Sequence, residues 1–188
     1  MRVLQSIAKL RVAVIPTTPV RSSHVEPARA LLHPLWIASL GLLVLNDHVL
    51  KGSGLLPGWL TGKLSDLAGL VVAPVLLAAL LRARTRPAIA AVHAVVGLGF
   101  AGLELSSSLT AVADSIYHLA GFSWKSTRDL TDLLALAVLP LAYLFTLRAG
   151  AASAAAAGRG RKVAVRLLAT TGLLACTAST GGYVPQQP

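Results

Sequence analysis

Four apolar stretches of nearly equal length dominate the sequence, and each has a basic residue at one end and an acidic residue at the other. The bounding pairs are, in chain order, Arg29 and Asp47, Asp66 and Arg82, Arg86 and Glu104, and Asp132 and Arg148. The members of a pair are 16 or 18 positions apart, which corresponds to about 24–27 Å of α-helix. Because the order of the two charges alternates, we predict four transmembrane helices that cross a hydrocarbon layer about 30 Å thick back and forth.

Composition supports a membrane protein rather than a soluble domain. The 188 residues are 55% hydrophobic and only 13% charged, which is too apolar for an ordinary globular chain. The formal net charge of +10 does not indicate nucleic-acid binding, because the charges are sorted by position. On the predicted threading, 13 of the 17 lysines and arginines lie on one side and six of the seven acids on the other. The positive-inside rule therefore predicts a cytoplasmic N-terminus in a bacterial inner membrane.

The predicted fold class is all-α, a polytopic transmembrane helical bundle of four spans with a candidate fifth span and an outer interfacial helix. Four segments follow from the distribution of charge, proline and apolar residues. They are a disordered cytoplasmic tail (1–28), a four-helix core (29–148), a basic alanine-rich cytoplasmic loop (149–162), and the candidate fifth span with a short outer tail (163–188).

The connection between the third and fourth spans, residues 106–127, is too polar to cross a membrane but has helical periodicity. Its apolar residues at helical spacing are Leu109, Val112, Ile116 and Leu119. Asp114 and His118 lie four positions apart on another face. We expect an amphipathic helix on the outer membrane surface or dipping into it from outside.

The single cysteine, Cys176, excludes an intrachain disulfide. It follows Leu173, Leu174 and Ala175 in a sequence similar to a bacterial lipobox, but such boxes belong to N-terminal signal peptides. An ordinary cysteine near the outer end of an apolar helix is the simpler interpretation.

The acidic ends of the spans form a polar layer near one membrane boundary. A carboxylate costs about 2.5–3.5 kcal/mol at the centre of a span and less towards its edge, so these acids need partners. The predicted ligand-binding or proton site consists of Asn46, Asp47, His48, Lys63, Asp66, Glu104, Arg128, Asp129 and Asp132, with Asp114 and His118 as secondary members.

Positive charges and hydroxyl groups in the same layer are candidate partners for the acids. The additional residues of this kind are Lys51, Ser65, Lys125, Thr127 and Thr131. Two pairs have helical spacing, since Lys63 precedes Asp66 by three positions and Arg128 precedes Asp132 by four. This spacing favours a local ion pair in each case.

Three interpretations of the acidic layer remain open. It forms an ion-pair network that sets helix register, it binds a polar or cationic group or passes protons, or it holds a metal. The candidate metal ligands would be Asp47, His48, Asp66, Glu104, His118 and Asp132. No zinc-ligand spacing, nucleophile elbow, phosphate-binding loop or dinucleotide fingerprint is present. We therefore predict no metal and no other cofactor, and leave enzymatic activity open.

Three sequence blocks resemble those of a group of uncharacterised bacterial multi-pass membrane proteins. The blocks are residues 45–51 (LNDHVLK), 60–70 (LTGKLSDLAGL) and 124–133 (WKSTRDLTDL). More remotely, the layout is similar to VanZ-like (teicoplanin-resistance) membrane proteins, in which a glutamate ends one span and an arginine followed by an aspartate begins the last. Glu104, Arg128 and Asp132 would match those positions. The resemblance implies a helical membrane fold and a cell-envelope context.

The predicted function is an integral inner-membrane protein whose acidic site, on the non-cytoplasmic face, binds a polar envelope component or a cation. The alternatives are a membrane-embedded enzyme or proton-coupled carrier that uses the same acids, and a purely structural membrane protein. The expected partners are the lipid bilayer and a polar headgroup, cation or envelope precursor, without nucleic acid. A small bundle would have to oligomerise to form a carrier, so a homo-oligomer remains open.

Overall fold

The computed structural model describes residues 24–51, 53–119, 128–151 and 159–178, and these residues form helices joined by turns, without a strand. The elements are a 3-10 helix (Pro27–Leu32), α1 (Pro34–Leu45) continued by a π-helical turn (Asn46–Leu50), α2 (Gly58–Leu80), α3 (Arg86–Leu105), α4 (Ser107–Leu119), a 3-10 segment (Leu130–Val138) continued by α5 (Leu139–Ala151), and α6 (Arg159–Ala178). The all-α prediction is confirmed for this part of the chain.

Three helices are long and apolar enough to cross a membrane: α2, α3, and the 3-10 segment together with α5. They correspond to the second, third and fourth predicted spans. The first predicted span is a shorter apolar helix, Pro34–Leu50. The prediction of four full-length spans is therefore corrected to three spans and one shorter helix, an arrangement compatible with an integral membrane protein.

Pro34 explains why the first apolar helix is short. A residue before proline is disfavoured in the α conformation, and His33 is extended, with φ −78° and ψ 139°. The residues before it form the separate 3-10 helix rather than the first turns of α1. The His33 side chain then caps α1 by accepting a hydrogen bond from the Leu35 amide at 3.2 Å.

Helix α2 lies at the centre of the described structure, where it contacts α1, α3, α5, α6 and both 3-10 segments. On α1, Trp36, Leu40 and Leu43 are buried at helical spacing and pack against Val72 and Leu76 of α2, among other residues. The Trp36 indole is fully buried and donates a hydrogen bond to the Val72 carbonyl at 3.3 Å. α2 is therefore the helix against which the candidate site is assembled.

The fourth predicted span changes its helix type at Pro140. Leu130–Val138 is a 3-10 helix, and Pro140 lies at the second position of α5, where a missing N–H is tolerated. Residues 131, 134, 137 and 140 are exposed, whereas Ala135 is buried, which matches the three-residue period of a 3-10 helix. This period turns Asp132 towards the bundle together with Ala135.

Glycines permit the closest helix contacts. A Cβ at Gly97 would overlap Leu139, and a Cβ at Gly172 would lie 3.1 Å from the Trp36 ring. In a bilayer, where the surrounding lipid is as apolar as the helices, such close approach contributes much of the association energy. Gly97 thereby joins α3 to α5, and Gly172 joins α6 to α1.

The two less apolar predicted elements are both helical. The candidate fifth span is α6, whose buried Ala175 and half-buried Cys176 contact the core. Because its first half is charged, α6 is not among the helices that are apolar enough to cross a membrane. The predicted surface helix is α4. The helix forms as predicted, and the apolar residues at helical spacing, Leu109, Val112, Ile116 and Leu119, are exposed.

Backbone hydrogen bonds join the N-terminal segment to the basic ends of the helices. The Val25 amide donates to the Arg84 carbonyl at 3.0 Å, and the Glu26 amide donates to the Gly150 carbonyl at 3.1 Å. Val25 is 2% exposed. The segment around the tail boundary predicted at residue 28 is therefore packed. Residues 1–23, half of the predicted basic loop (152–158) and the last ten residues lie outside the described structure.

Candidate functional site

Two irregular helical segments carry four of the nine primary site residues predicted from the sequence. Asn46, Asp47 and His48 lie in the π-helical turn, where the Lys51 amide donates to the Asn46 carbonyl at 2.8 Å. Asp132 lies in the 3-10 segment, with Asp129 as its N-cap. The backbone of both segments departs from a regular α-helix. π-helical turns occur frequently at functional sites.

Asn46 is the most deeply buried polar side chain of this region, at 0% exposure. Its Nδ2 donates two hydrogen bonds to α2, one to the Thr61 carbonyl at 2.7 Å and one to the Ser65 hydroxyl at 2.6 Å. Its Oδ1 is buried and has no hydrogen-bond partner among the described residues. Asn46 therefore joins the π-helical turn to α2 and leaves one acceptor unused.

Asp47 is held by two donors. The Ser65 hydroxyl donates to Asp47 Oδ1 at 2.9 Å, and the Lys51 ammonium lies 2.8 Å from the same oxygen. The Asp47 side chain is only 6% exposed, compared with 22% for Lys51. The long lysine chain can keep its methylenes against the protein while its ammonium group meets the carboxylate near the surface.

Lys63 cross-links α2 to the 3-10 segment. Its ammonium group donates to Asp132 Oδ1 at 2.7 Å and to the Thr131 hydroxyl, and it lies 3.7 Å from Asp129 Oδ2. The predicted local pair with Asp66 is therefore wrong. Lys63 pairs with Asp132 instead because the face of α2 that carries Lys63 packs against the start of the 3-10 segment.

Glu104 and Asp129 are hydrogen-bonded to each other at the acidic end of the described structure. Glu104 Oε2 accepts a hydrogen bond from the Asp129 amide at 2.9 Å. Asp129 Oδ1 in turn accepts bonds from the Thr131 amide at 2.9 Å and the Thr131 hydroxyl at 2.7 Å. These two bonds from Thr131 hold the pKa of the Asp129 carboxyl below its usual value. Asp129 is therefore a charged N-cap for the last span.

Asp66 is a half-buried acid with no hydrogen bond or ion pair within 4 Å among the described residues. The negative charges of Asp132 and Glu104 lie near enough to repel its carboxylate, whereas Lys51 and Lys63 attract it. Both lysines are already in direct contact with other acids. Asp66 thus lies between two ion-paired clusters without a direct cationic contact of its own.

The remaining predicted residues lie at the edge of this cluster or away from it. His48 and Arg128 are exposed. Arg128 acts on Glu104 electrostatically but makes no ion pair within 4 Å with Asp132 in the described structure. That predicted pair is wrong because Arg128 precedes a 3-10 helix, which aligns residues three rather than four apart. Lys125 and Thr127 lie outside the described residues.

The secondary candidates are on α4. Asp114 is half-buried, and its Oδ1 has no hydrogen-bond partner in the described ranges, whereas His118 is exposed near the end of the helix. Within those ranges, the structure contains no group of three or more His, Cys, Asp or Glu side chains that could hold a metal ion. The metal interpretation thus has no support from the arrangement of these acids.

Spacing along the sequence did not identify Thr61 as a site residue, because its contribution is a backbone carbonyl. Ser65 was predicted only as a hydrogen-bonding partner, yet its hydroxyl connects Asn46 to Asp47. Its position four residues after Thr61 on the same face of α2 is the signal that could have indicated this role.

The described site is a buried amide, five carboxylates and two lysines. Four of the carboxylates make hydrogen bonds or ion pairs within it, and Asp66 makes none among the described residues. Comparisons with known proteins do not add an assignment: no protein-family model, curated protein or solved structure matches this chain.

Proposed function

We propose that this chain is a multi-pass protein of the bacterial inner membrane whose acidic layer faces the non-cytoplasmic side and binds the cationic part of a polar envelope component. The observation that carries the proposal is Asp66, a half-buried carboxylate without a direct cationic contact. An uncompensated carboxylate at a membrane boundary is costly. A bound positive group would offset that cost.

The charge balance of the layer supports the same proposal. The five described acids are Asp47, Asp66, Glu104, Asp129 and Asp132, and the described cations near them are Lys51, Lys63 and Arg128. The described part of the layer thus carries two more negative than positive formal charges. A ligand cation, or a proton as in the alternative carrier or enzyme function, would bring it nearer to neutrality.

The competing function is a structural network that sets helix register. The Lys63–Asp132 ion pair favours it, because it joins α2 to the last span. Such a network, however, gains no stability from leaving Asp66 outside it. Similarity to VanZ-like proteins remains part of the proposal and would place the chain in the cell envelope.

A thermal-stability assay on the full-length protein in detergent tests cation binding. Sodium, calcium, ethanolamine and spermidine are added at constant ionic strength, and the melting temperature is recorded. We expect at least one cation to stabilise the wild type, through linkage of binding to folding, and Asp66→Asn to remove the effect. Glu26→Gln, which alters an acid outside the site that is paired with Arg29, is the control and should retain it. If no cation stabilises the wild type, the register network is the better account.

Sidedness has its own test. In a Cys176→Ser background, single cysteines replace Ser53, at the acidic end, and Thr85, at the basic end. A membrane-impermeant thiol reagent added to intact cells should label position 53 and spare position 85, because the basic ends face the cytoplasm. Labelling of position 85 alone would reverse the proposed orientation.

A further inference from the structure

Helix α6 extends along the bundle from its basic end towards its acidic end. It contacts the 3-10 helix Pro27–Leu32 at the basic end, and its last turn brings Cys176 close enough to Asp47 for that charge to act on the thiol. The 20 residues of α6 correspond to about 30 Å of helix, which is about the thickness of the hydrocarbon layer. The first turns of α6 therefore lie near the basic boundary of that layer.

The two sides of α6 have different surroundings. The side turned to the bundle packs against the hydrophobic core and comprises Val165, Leu168, Ala169, Ala175 and Cys176. Away from the bundle, Val163, Leu167 and Leu173 are 49%, 64% and 51% exposed. In a bilayer, exposed apolar side chains of this kind contact lipid acyl chains.

The threonines on the exposed side of α6 have internal hydrogen-bond partners. The hydroxyl groups of Thr170 and Thr171 donate to the carbonyls of Arg166 and Leu167, both at 3.0 Å. A hydroxyl that is already hydrogen-bonded costs less to remove from water. The exposed surface between Leu167 and Leu173 is therefore compatible with hydrocarbon.

Two cations lie at the basic end of this exposed side. Lys162 and Arg166 are both exposed and are four positions apart, so they are neighbours on the helix surface and repel each other. Neither makes an ion pair within 4 Å with an acid among the described residues. Arg166 lies seven positions after the start of α6, or about 10 Å along the helix, where an uncompensated charge is costly.

The chain has no acid available to neutralise these two cations. All seven of its Asp and Glu residues lie in the described ranges. Glu26, at the basic end, is bonded to Arg29. The other six lie at the acidic end or on α4, namely Asp47, Asp66, Glu104, Asp114, Asp129 and Asp132. An anion that compensates Lys162 and Arg166 must therefore come from outside the chain.

We propose that Lys162 and Arg166 bind the phosphate of an anionic phospholipid whose acyl chains lie along Leu167 and Leu173. A guanidinium group matches the geometry of a phosphate, and the long arginine side chain can extend from its depth to the headgroup. A zwitterionic lipid brings its own cation, which the neighbouring basic residues repel, so the charge balance favours an anionic headgroup. This site lies at the opposite end of the bundle from the proposed cation site and does not depend on it.

Native mass spectrometry of the full-length protein in detergent tests the proposal. Phosphatidylglycerol and phosphatidylcholine with identical acyl chains are added separately, and bound lipid is counted. We expect phosphatidylglycerol to bind more tightly, and Arg166→Gln to lower its affinity by about fivefold without changing that of phosphatidylcholine. Arg84→Gln removes an exposed arginine from the turn between α2 and α3; it is the matched control and should change neither affinity by more than about twofold.

Two results would overturn the proposal. Equal binding of both lipids to the wild type would show that the headgroup charge is not recognised. Equal losses for Arg84→Gln and Arg166→Gln would show that the preference comes from the total charge of the basic end rather than from α6. Excess glycerol 3-phosphate, which lacks acyl chains, should not displace the bound lipid; displacement would identify a site for a free phosphate instead. This competition uses the wild type and decides even if Arg166→Gln fails to fold.

Discussion

The two ends of the bundle are held together in different ways. At the acidic end, side chains cross between helices, as in Asn46 to Ser65 and Lys63 to Asp132. At the basic end, the cross-links described above are backbone bonds from Val25 and Glu26, while the exposed arginines at positions 82, 84, 86 and 148 point away from the packed core. The stability of the acidic end therefore depends on the identity of its side chains. The stability of the basic end depends on the space that small residues leave around its backbone.

Helix ends show the same contrast. At the basic end, α2 stops in a Schellman-type turn in which the Ala83 amide donates to the Ala78 carbonyl and Arg82 has φ +53°. α3 then starts from a Thr85 cap. At the acidic end, the corresponding positions are a π-helical turn and a 3-10 segment. The ends of α1 and of the last span that carry the proposed site are thus irregular, whereas α2 and α3 meet at the basic end through a regular capped turn.

The largest expected effect is that of Asn46→Ala. It removes the two buried hydrogen bonds that Nδ2 donates to the Thr61 carbonyl and the Ser65 hydroxyl, for a loss of about 2–4 kcal/mol in the free energy of unfolding. His48→Ala in the same π-helical turn is the matched control and should change stability by less than about 0.5 kcal/mol, since His48 is exposed. Denaturant unfolding in detergent measures the stability of both variants. Similar losses for Asn46→Ala and His48→Ala would show that side-chain identity at Asn46 does not hold the acidic end together.

Gly150→Ala tests the basic end. An added Cβ would overlap Val25 and lie 3.2 Å from the Glu26 carbonyl oxygen, so we expect a loss of about 1–3 kcal/mol from overpacking. Gly160→Ala is the control, because a Cβ there meets nothing within 4 Å, and its helical position favours alanine by up to about 1 kcal/mol. Thermal unfolding of the two variants should move in opposite directions.

A double-mutant cycle on Lys63→Met and Asp132→Asn measures the cross-link between α2 and the last span. Each single variant should lower the melting temperature, and the double variant should lower it by less than the sum, because either change alone leaves a charge without its partner. Arg128→Gln should be additive with Asp132→Asn, since these residues make no ion pair within 4 Å. Additivity in the Lys63 cycle would show that its ion pair does not stabilise the fold.

The smallest effect concerns Asp129 and pH. Because the Thr131 hydrogen bonds lower its folded-state pKa below the ordinary value of 3.8, its contribution to stability is present above about pH 4 and is lost as pH falls through the lower folded-state pKa. Asn caps a helix about as well as Asp. Asp129→Asn should therefore match the wild type at pH 7 and lose less stability on acidification to pH 3. Parallel losses in a melting-temperature series would refute the role of the charge.

The sequence by itself determined where apolar helices form and which of their ends carry acids. These properties depend on hydropathy over about 20 residues and on local charge, both of which are readable along the chain. The helical spacing of apolar residues between positions 109 and 119 likewise predicted α4. The length of the first apolar helix was missed, because the consequence of Pro34 falls on the conformation of the residue before it, and the irregular turns have no comparable periodic signal.

Only the tertiary structure decided which groups pair. Lys63 is three positions from Asp66 but bonds to Asp132, 69 residues further along the chain, and Asn46 finds its partners on α2 rather than on its own helix. Such pairing depends on the rotation of one helix against another, which is set by the close contacts at Gly97 and Gly172 and by the π and 3-10 turns. Residue spacing predicts which face of its own helix a side chain lies on. The angle at which the faces of two helices meet is determined only by the packing of the whole bundle.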